Sequence, residues 1–302
     1  MNKTYQLGML KLVSDIDFPE LLPWADRPDA PTELVFRLGS VPVVLEGGDR
    51  VDGWFQAQNN SRYLMAFQGA GRILIENGRE VTVDVDPEGN LTDVRAILMG
   101  SAQAALWLQR GLLPLHASVV SINNKALALA GPSGVGKSTL AAALSAEGCA
   151  VMADDICAID TADGAAVLPI TPRLRLWRDA LEQFGMNAED LPRALARREK
   201  YLAQESSRLV SERRKLAALV LLSRGNGDAV TIERLRGARA VIELHSLVRM
   251  LRAVRALRLE AVIFGGLTDL LSAGVTVWRA VMPKAGFCSG EAAARILTLL
   301  GH

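Results

Sequence analysis

The chain has 302 residues, enough for two domains or for one domain with a large addition. Its residues are 50% hydrophobic and 22% charged, as in an ordinary soluble globular protein. The 34 lysine and arginine side chains nearly balance 33 acidic ones, which argues against a protein drawn to nucleic acid or to membranes by its overall charge.

Targeting and redox signals in the sequence indicate a cytoplasmic protein. No apolar run reaches the roughly 18–20 residues of a membrane-spanning helix. Residues 1–5 lack the basic and then apolar layout of a secretion signal. The cysteines Cys149, Cys157 and Cys288 show no C-x-x-C spacing, so we expect small buried hydrophobic residues in a reducing compartment.

Residues 1–100 are predicted to form a β-rich domain, because short apolar runs alternate with clusters of Gly, Pro, Asp or Asn. The predicted strands span residues 5–13, 33–38, 41–45, 54–58, 63–67 and 94–98. The clearest element is a hairpin of strands 72–76 and 79–84 around Asn77-Gly78, a pair that accepts the positive φ of a tight turn. Docking of a substrate or partner and a purely structural role both remain open for this domain.

A helix over residues 101–110 is predicted to follow, with Ser101 as its N-cap and Gly111 as its end. It links the β-rich domain to the rest of the chain. We therefore divide the chain into an N-terminal β-rich domain, residues 1–112, and a nucleotide-binding catalytic domain, residues 113–302, for the reasons that follow.

A second hairpin is predicted from strands 115–122 and 125–130, joined by the turn Asn123-Asn124. If the turn is centred between these two asparagines, His116 lies opposite Gly131. A lone histidine on a strand is more often a filler of the core or surface. Here its place beside the segment that starts at Gly131 favours a functional role.

That segment is a glycine-rich loop, which reads G-x-x-x-x-G-K-S and is typical of nucleotide-binding proteins. Its backbone N–H groups can approach phosphate oxygens, Lys137 can neutralise the β- and γ-phosphates, and the Ser138 hydroxyl can bind Mg²⁺. A helix over residues 136–147, closed by Gly148, adds a dipole that favours anions. The residues expected to contact the nucleotide are Gly131, Ser133, Gly134, Val135, Gly136, Lys137, Ser138 and Thr139.

A buried strand over residues 149–153 ends in Asp154-Asp155. Next to the strand that carries the loop, this end would lie beside the phosphates, where ligands gather in open α/β sheets. One carboxylate can hold Mg²⁺ and the other can accept the proton of an attacking hydroxyl. The alternative, a pair of solvated turn aspartates, is less favoured because the chain continues apolar over residues 156–159.

Residues 115–159 resemble the catalytic domain of the HPr serine kinase family. Its members carry a Leu-His segment, a G-x-S-G-x-G-K-S loop, a helix that ends before Gly and an Ala-Asp-Asp strand end, all present here in order. The resemblance implies an α/β fold in which a mixed sheet with the phosphate-binding loop is flanked by helices, similar to phosphoenolpyruvate carboxykinase cores, behind the β-rich N-terminal domain.

The resemblance also implies an activity, a kinase that uses ATP and Mg²⁺ to phosphorylate a hydroxyl of a peptide or small protein. By this resemblance Asp155 is the general base, with His116 hydrogen-bonded nearby to tune it. Lys137 keeps its phosphate role, and Ser138 and Asp154 form the metal site.

One departure from the family pattern reduces the range of expected substrates. HPr kinases that are also phosphorylases have a glycine-rich segment and an acidic metal ligand after the Asp-Asp strand, where this chain has the apolar and basic residues 168–177. This argues against HPr as substrate and against phosphorylase activity. The β-rich N-terminal domain and the P-R-L-R-L-W element of residues 172–177 resemble those of homologues found beside lasso-peptide biosynthesis genes. Those homologues modify the C-terminal serine of a precursor peptide.

Residues 193–215 are rich in basic side chains, and residues 185–212 could form a mobile lid over the nucleotide site. A kinase needs a cation beside the transferring phosphoryl group, and Arg213 or Arg214 could supply it. A solvated basic surface is the alternative. A second basic face, Arg249 with three further arginines to residue 258, is interpreted as the solvated rim of an amphipathic helix.

The remaining elements are predicted as a hairpin of strands 216–222 and 230–234, helices over residues 238–258 and 260–273, a strand over 275–281 and a helix over 289–300. His245 and His302 have no nearby ligand or nucleophile and are interpreted as structural.

Three functions are compatible with these patterns: a serine kinase acting on a peptide or small protein, a nucleotide-binding regulator without catalysis, and a kinase for a small metabolite. The first is favoured by the joint occurrence of His116, the loop and Asp154-Asp155. We expect neither a nucleic-acid partner nor a membrane, and the sequence leaves open whether the chain forms homo-oligomers.

Overall fold

The computed structural model describes residues 3–24, 32–51, 53–204, 209–283 and 289–300. These residues form two large mixed β-sheets, a small two-stranded sheet and eight α-helices. Within these ranges, no helix has the length and apolar character to cross a membrane. Cys288, His302 and part of the predicted lid, residues 205–208, lie outside the described residues.

The first sheet is formed by the N-terminal part of the chain. Its strands are β1 (Lys3–Leu7), β2 (Leu10–Ser14), β3 (Leu22–Pro23), β4 (Leu34–Leu38), β5 (Asp49–Arg50), β6 (Phe55–Gln58), β7 (Arg62–Phe67), β8 (Gly71–Glu76) and β9 (Glu80–Val85). They lie in the order β3-β1-β2-β4-β9-β8-β7-β6-β5. The β2–β4 and β4–β9 pairs are parallel, so this sheet is mixed.

The predicted hairpin of this region is confirmed. Strands β8 and β9 pair antiparallel, and the turn residues Asn77 and Gly78 have φ of 53° and 59°. The predicted strand 5–13 is in fact two strands, β1 and β2, which pair around Gly8 with φ of 65°. Strands β4, β6 and β7 match their predictions.

Two predicted strands are wrong. Residues 41–45 form no strand. Their apolar side chains serve a different purpose, since Val41 and Leu45 are buried in a small separate cluster. Residues 94–98 are helical, because Asn90 caps a helix by accepting a hydrogen bond of 2.7 Å from the backbone N–H two residues later.

The helical connection between the sheets begins earlier than predicted. Helix α1 (Leu91–Ile97), a π-helical turn (Leu98–Ala102) and helix α2 (Gln103–Gln109) run on without a break. Ser101 therefore lies inside the π-helical turn and is not an N-cap. The predicted end is confirmed, since Gly111 has φ of 75°.

The second sheet and the remaining helices follow. The strands are β10 (Leu113–Leu115), β11 (Ala117–Ile122), β12 (Lys125–Ala130), β13 (Ala150–Ala153), β14 (Cys157–Asp160), β15 (Ala166–Val167), β18 (Arg214–Arg224), β19 (Thr231–Leu235) and β20 (Thr276–Met282). Strands β16 (Arg173–Trp177) and β17 (Lys200–Gln204) form the small sheet. The helices are α3 (Lys137–Ala146), α4 (Arg178–Gln183), α5 (Gly237–Ser246), α6 (Leu251–Ala256), α7 (Glu260–Ser272) and α8 (Ser289–Leu299), with a 3₁₀ turn at Ala188–Asp190.

The second sheet has the order β10-β14-β15-β18-β12-β11-β13, and β20 pairs with β18 and carries β19. The β12–β18 and β18–β20 pairs are parallel, and the other pairs are antiparallel. Both large sheets are therefore mixed, and together with the helices they give the α/β class that the sequence predicts.

The register of the β11–β12 hairpin agrees with the prediction. Ala117 pairs with Ala130, so the next positions outward are His116 and Gly131. Asn123 and Asn124 have φ of 47° and 61°, which is the left-handed geometry of a two-residue hairpin turn. The predicted strand 115–122 is interrupted at His116, because its backbone N–H donates to Leu247 O (2.8 Å) instead of the hairpin partner.

Strand β13 is not adjacent to the strand that carries the loop. It pairs with β11, and β12 has β11 and β18 as its neighbours. Because β13 and β12 are both antiparallel to β11, they run in the same direction. The end of β13, and with it Asp154-Asp155, therefore still lies at the sheet edge where the loop begins.

The predicted hairpin of strands 216–222 and 230–234 is wrong. Strand β20 lies between β18 and β19, because it pairs in parallel with the former and antiparallel with the latter. The predicted helix 238–258 is interrupted after residue 246, and Met250 before α6 has φ of 58°.

The hydrophobic core does not separate at the predicted domain boundary. One cluster of buried side chains extends from the first sheet through α1 and α2 to the second sheet, and Trp107 of α2 is fully buried in it. A second cluster lies on the other face of the second sheet, under α3, α4 and α8.

Candidate active site

The glycine-rich loop lies between β12 and α3, as the sequence predicts. Gly131 has φ of 143°, and a Cβ there would lie 2.5 Å from the Leu222 carbonyl oxygen on β18. Gly134 and Gly136 also have positive φ, and none of the side chains that the structure describes caps α3 at Gly136. The first N–H groups of α3 and the positive end of its dipole are therefore free to receive an anion.

Lys137 is the first residue of α3, and only 7% of it is exposed. Its Nζ donates to the carbonyl oxygens of Gly131 (2.9 Å) and Pro132 (3.0 Å), so the side chain lies folded along the loop. Burial lowers its pKa to about 8, although the nearby carboxylates of Asp154 and Asp155 favour the charged form.

Asp154 is almost fully buried and is held by three donors. Its Oδ1 accepts hydrogen bonds from the hydroxyls of Ser118 (2.6 Å) and Ser138 (2.9 Å), and its Oδ2 accepts from the Arg175 backbone N–H (2.7 Å). The carboxylate is thereby fixed against the first turn of α3. Ser118 was not predicted as a site residue. Side chains alternate along the predicted strand 115–122, which places Ser118 on the same face as His116.

The pair of Ser138 and Asp154 is suited to Mg²⁺. The Ser138 hydroxyl donates a hydrogen bond to Asp154, so its oxygen lone pairs remain available for a cation, and both ligands are hard oxygens. The described part of the chain contains no group of three or more His, Cys, Asp or Glu residues that could hold a metal. A magnesium ion at this point would therefore need the oxygens of a nucleotide and water as further ligands.

Asp155 has φ of 76°, a left-handed conformation that costs energy in a residue other than glycine. His116 Nδ1 lies 3.0 Å from its Oδ1 and 3.0 Å from its backbone oxygen. Both contacts require a proton on Nδ1, because both partners are acceptors.

The charge of Asp155 is set by its neighbours. Burial alone would raise the pKa of this carboxyl, but the hydrogen bond from His116 and the charges of Arg175 and Arg249 outweigh it, so the pKa lies well below its usual range. The two guanidinium groups approach Oδ2 to 3.6 and 3.7 Å. Asp155 is therefore an oriented carboxylate at neutral pH.

These groups face one cleft of about 180 Å³ between the loop, β16 and α4. The loop residues in its wall are Ser133, Gly134, Gly136, Lys137, Ser138 and Thr139. Val135 is buried in the core cluster under α3 instead, and Gly131 lines a neighbouring cleft. His116, Asp154 and Asp155 complete the wall, so most of the predicted site residues are brought together.

Arg213 and Arg214 are not brought together with the loop. Arg214 begins β18, which runs parallel to β12, so both arginines lie at the sheet edge opposite the loop. Arg213 pairs with Asp163 (2.8 Å) and Arg214 with Glu212 (2.9 Å). The direction of β18 could have excluded both arginines as site residues. Residues at the end of this strand lie beside the loop, whereas residues at its start do not.

Three other cationic side chains lie beside the loop, where Arg213 or Arg214 was predicted to lie. Arg175 of β16, Lys200 of β17 and Arg224 at the end of β18 line the cleft. Arg249 approaches Asp155 from a second side and does not lie on a solvated helix face as interpreted from the sequence. The signals that could have located them are the P-R-L-R-L-W element for Arg175 and the end of a strand beside the loop for Arg224.

No family model matches the sequence, and no curated protein matches it. Among solved structures, the chain is similar to the HPr(Ser) kinase/phosphatase from Coxiella burnetii, with 13% identity and a TM-score of 0.30. The similarity covers 62% of this chain and 93% of that chain. Values at this level do not establish a shared family, so the chemistry of the site depends on its own geometry.

Proposed function

We propose that the chain is an ATP- and Mg²⁺-dependent kinase, similar to the HPr serine kinases, that phosphorylates a serine hydroxyl in a peptide or small protein. The observation that supports this most directly is the position of the Asp155 carboxylate. It is oriented by His116 and faces the same cleft as the glycine-rich loop and Lys137. A protein that only bound nucleotide would not need an oriented carboxylate there.

In this proposal the glycine-rich loop is a phosphate-binding loop. The N–H groups of the loop and of the first turn of α3 bind the phosphate oxygens, and Lys137 leaves the Gly131 and Pro132 carbonyls to pair with them. Bound at Ser138 and Asp154, Mg²⁺ supplies charge neutralisation of the phosphates. Arg175, Lys200 and Arg224 add positive charge around the transferring group.

The proposed step is phosphoryl transfer. The serine oxygen forms a bond to the γ-phosphorus while the bond from that phosphorus to the β–γ bridging oxygen breaks, which releases ADP. The hydroxyl proton passes to the Asp155 carboxylate. A low pKa makes this carboxylate a weak base, but a loose transition state needs little deprotonation before the phosphoryl group has moved, so orientation of the hydroxyl matters more than basicity.

The acceptor is proposed from the resemblance in the sequence. Among seryl acceptors, the C-terminal serine of a precursor peptide is the first to test, because β16 forms from all but the proline of the P-R-L-R-L-W element and its Arg175 lies in the site.

The test is transfer of labelled phosphate from ATP to seryl peptides in the presence of Mg²⁺, compared between the natural chain and Asp155→Asn. The variant keeps the size of the side chain and removes its charge, so transfer is expected to fall by about 10²-fold or more. Nucleotide binding should change little and serves as the control for folding. Transfer that persists in Asp155→Asn would remove the role given to this carboxylate.

One observation favours a second function, a nucleotide-binding regulator without catalysis. The guanidinium groups of Arg175 and Arg249, 3.6 and 3.7 Å from Asp155 Oδ2, already offset the charge of this carboxylate. This alternative predicts tight nucleotide binding and no phosphorylated acceptor in a screen by mass spectrometry.

A further inference from the structure

A second cleft, of about 500 Å³, lies on the other side of Asp155. It shares Asp155, Arg175 and Lys200 with the cleft of the loop, so the two clefts meet at these side chains. We propose that this second cleft is the acceptor site and that it takes a hydroxyl compound with an anionic group close to the hydroxyl. The inference rests on the proposed phosphoryl transfer and adds to it the place and the class of the acceptor.

The position of Asp155 selects this cleft. An acceptor hydroxyl must contact the carboxylate that takes its proton and must also reach the phosphoryl group, so it has to lie where both clefts are open. Gly100 of the π-helical turn lies against Asp155, and a Cβ there would come to 3.2 Å from Oδ2. The absence of a side chain at Gly100 leaves room beside the carboxylate.

A third cleft beside the loop is a less suitable acceptor site. It has a volume of about 590 Å³, and its wall combines His116 and Pro132 with two arginines and four apolar side chains, namely Arg249, Arg252, Leu247, Val248, Met250 and Leu251. Asp155 is not part of this wall. A hydroxyl bound there would lack the carboxylate.

The charges of the second cleft indicate an anionic ligand. Its wall holds three cations, Arg175, Lys200 and Arg249, against two carboxylates, Asp155 and Asp93. Within the described ranges Asp93 forms no ion pair with them, and its Oδ1 accepts a hydrogen bond from the backbone N–H of residue 196 (3.0 Å). The contacts of Asp155 with the two guanidinium groups, at 3.6 and 3.7 Å, are longer than hydrogen bonds.

Two of these cations have donors that the described residues do not satisfy. The Arg249 Nε is buried, and no described residue accepts a hydrogen bond from it. Lys200 lies 5.6 Å from the ring of Trp177 but forms no ion pair within the described ranges. A buried donor such as Arg249 Nε is costly without an acceptor, and an anion bound between the two groups would accept from it and pair with the partly exposed Lys200.

The N-terminal part of the chain supplies the opposite wall. Phe67 at the end of β7 and the turn residues 68–70 line this cleft together with Ala96 of α1 and Ser101 of the π-helical turn. In this inference the first sheet and its helical connection are therefore part of the acceptor site. This gives the β-rich region a role in choosing the substrate.

The test uses the full chain saturated with a non-hydrolysable ATP analogue and measures peptide binding by calorimetry, which does not require transfer. Three short probes are compared: a peptide that ends in serine with a free carboxylate, the same peptide as its amide, and an amide in which aspartate follows the serine. The two anionic probes are expected to bind at least about tenfold more tightly than the neutral one.

Two kinds of variant locate the binding site. Lys200→Met is expected to weaken the anionic probes about tenfold and to leave the neutral amide unchanged. Ser101→Leu and Ala96→Leu fill the proposed cleft and should weaken all probes, whereas Ser246→Leu fills the third cleft and should not. Unchanged affinity for the ATP analogue shows that the three leucine variants are folded. For Lys200→Met an unchanged thermal unfolding midpoint shows this instead, because Lys200 also lines the cleft of the loop.

Each outcome decides the inference. It is overturned if no probe binds, if the neutral amide binds as tightly as the anionic peptides, or if only Ser246→Leu interferes. The proposed function fails separately: probes that bind in this cleft but are never phosphorylated would contradict the kinase and keep the binding site. Phosphorylation that is indifferent to Ser101→Leu, Ala96→Leu and Lys200→Met would keep the kinase and reject the site.

Discussion

At the scale of residues, the site depends on two adjacent aspartates whose carboxylates contact different partners. Asp154 faces α3 and is held by two serine hydroxyls and a backbone N–H. The left-handed backbone at Asp155 turns the second carboxylate toward His116 instead. Neighbouring carboxylates normally repel each other, and different partners for each remove much of that cost.

We predict that His116 positions Asp155. In His116→Ala the carboxylate loses its shortest contact, and Arg175 and Arg249 can draw it away, so kcat for transfer should fall about ten- to a hundredfold. His116→Asn keeps an N–H donor near Nδ1 and should recover part of the rate. Steady-state kinetics check this, with KM for ATP expected to change little. Equal rates in the Ala and Asn variants would contradict a positioning role.

A second prediction concerns the charge of Lys137. With a pKa of about 8, the free side chain is charged below that pH and neutral above it. Because phosphate binding needs the charged form, metal-free affinity for ATP should fall as the pH rises through about 8. Calorimetry from about pH 7 to about pH 9.5 measures this.

The matched variants for this pH dependence are Lys137→Arg and Lys137→Met. Arginine stays charged over the whole range, so its ATP affinity should be flat, and methionine should be flat and about tenfold or more weaker. A natural chain that binds ATP equally well on both sides of pH 8 would contradict the lowered pKa.

At the scale of elements, the loop is fixed by its contact with β18. Gly131 closely approaches the Leu222 carbonyl, whereas no atom of the described residues beyond its chain neighbours lies within 4 Å of the Cβ position of Gly134. Both residues have positive φ, so they share the backbone strain that alanine would add and differ in the contact. They form a matched pair for testing how the loop is held.

We predict that Gly131→Ala lowers the free energy of unfolding by about 1–3 kcal/mol more than Gly134→Ala, since its Cβ would displace either the loop or β18. Chemical denaturation measures the difference. Gly134→Ala should mainly weaken nucleotide binding. An equal loss of stability in both variants would show that β18 moves away from the new Cβ without lowering the free energy of unfolding.

The elements that the sequence predicts correctly are those fixed by local chemistry. Asn77-Gly78 and Asn123-Asn124 accept positive φ and determine their hairpins, and the second of these places His116 beside Gly131. The position of β20 between β18 and β19 depends on pairing between distant segments. No local pattern reports such pairing, so the predicted hairpin there was wrong.

The same distinction applies to the candidate site. The loop and Asp154-Asp155 are contiguous motifs and could be identified directly. Lys200 of β17 lines the same cleft as Asp155, and Arg249 approaches Asp155 from the segment before α6, so only the folded chain brings these residues together. Arg213 and Arg214 were selected by composition alone, without the direction of their strand.

At the scale of the whole molecule, the two sheets share contacts as well as a core. The Thr171 hydroxyl donates a buried hydrogen bond to the Glu20 carbonyl (2.6 Å), and Asp93 accepts one from residue 196. Leu168 lies 3.0 Å from the Cβ position of Gly8. Both parts of the chain therefore support the wall around Asp155, and their stabilities should be coupled.

We predict that Leu12→Ala, a cavity in the first sheet, destabilises the whole chain by about 2–5 kcal/mol, because Leu12 is fully buried in the cluster that also contains Ala128 of β12. Hydrogen exchange should accelerate in β12 as much as in β8. Leu38→Ala removes a side chain that is 47% exposed and is the control, with a change within about 0.5 kcal/mol. If exchange accelerated in β8 alone, the first sheet would unfold by itself, and its wall could open to admit an acceptor while the nucleotide stays bound.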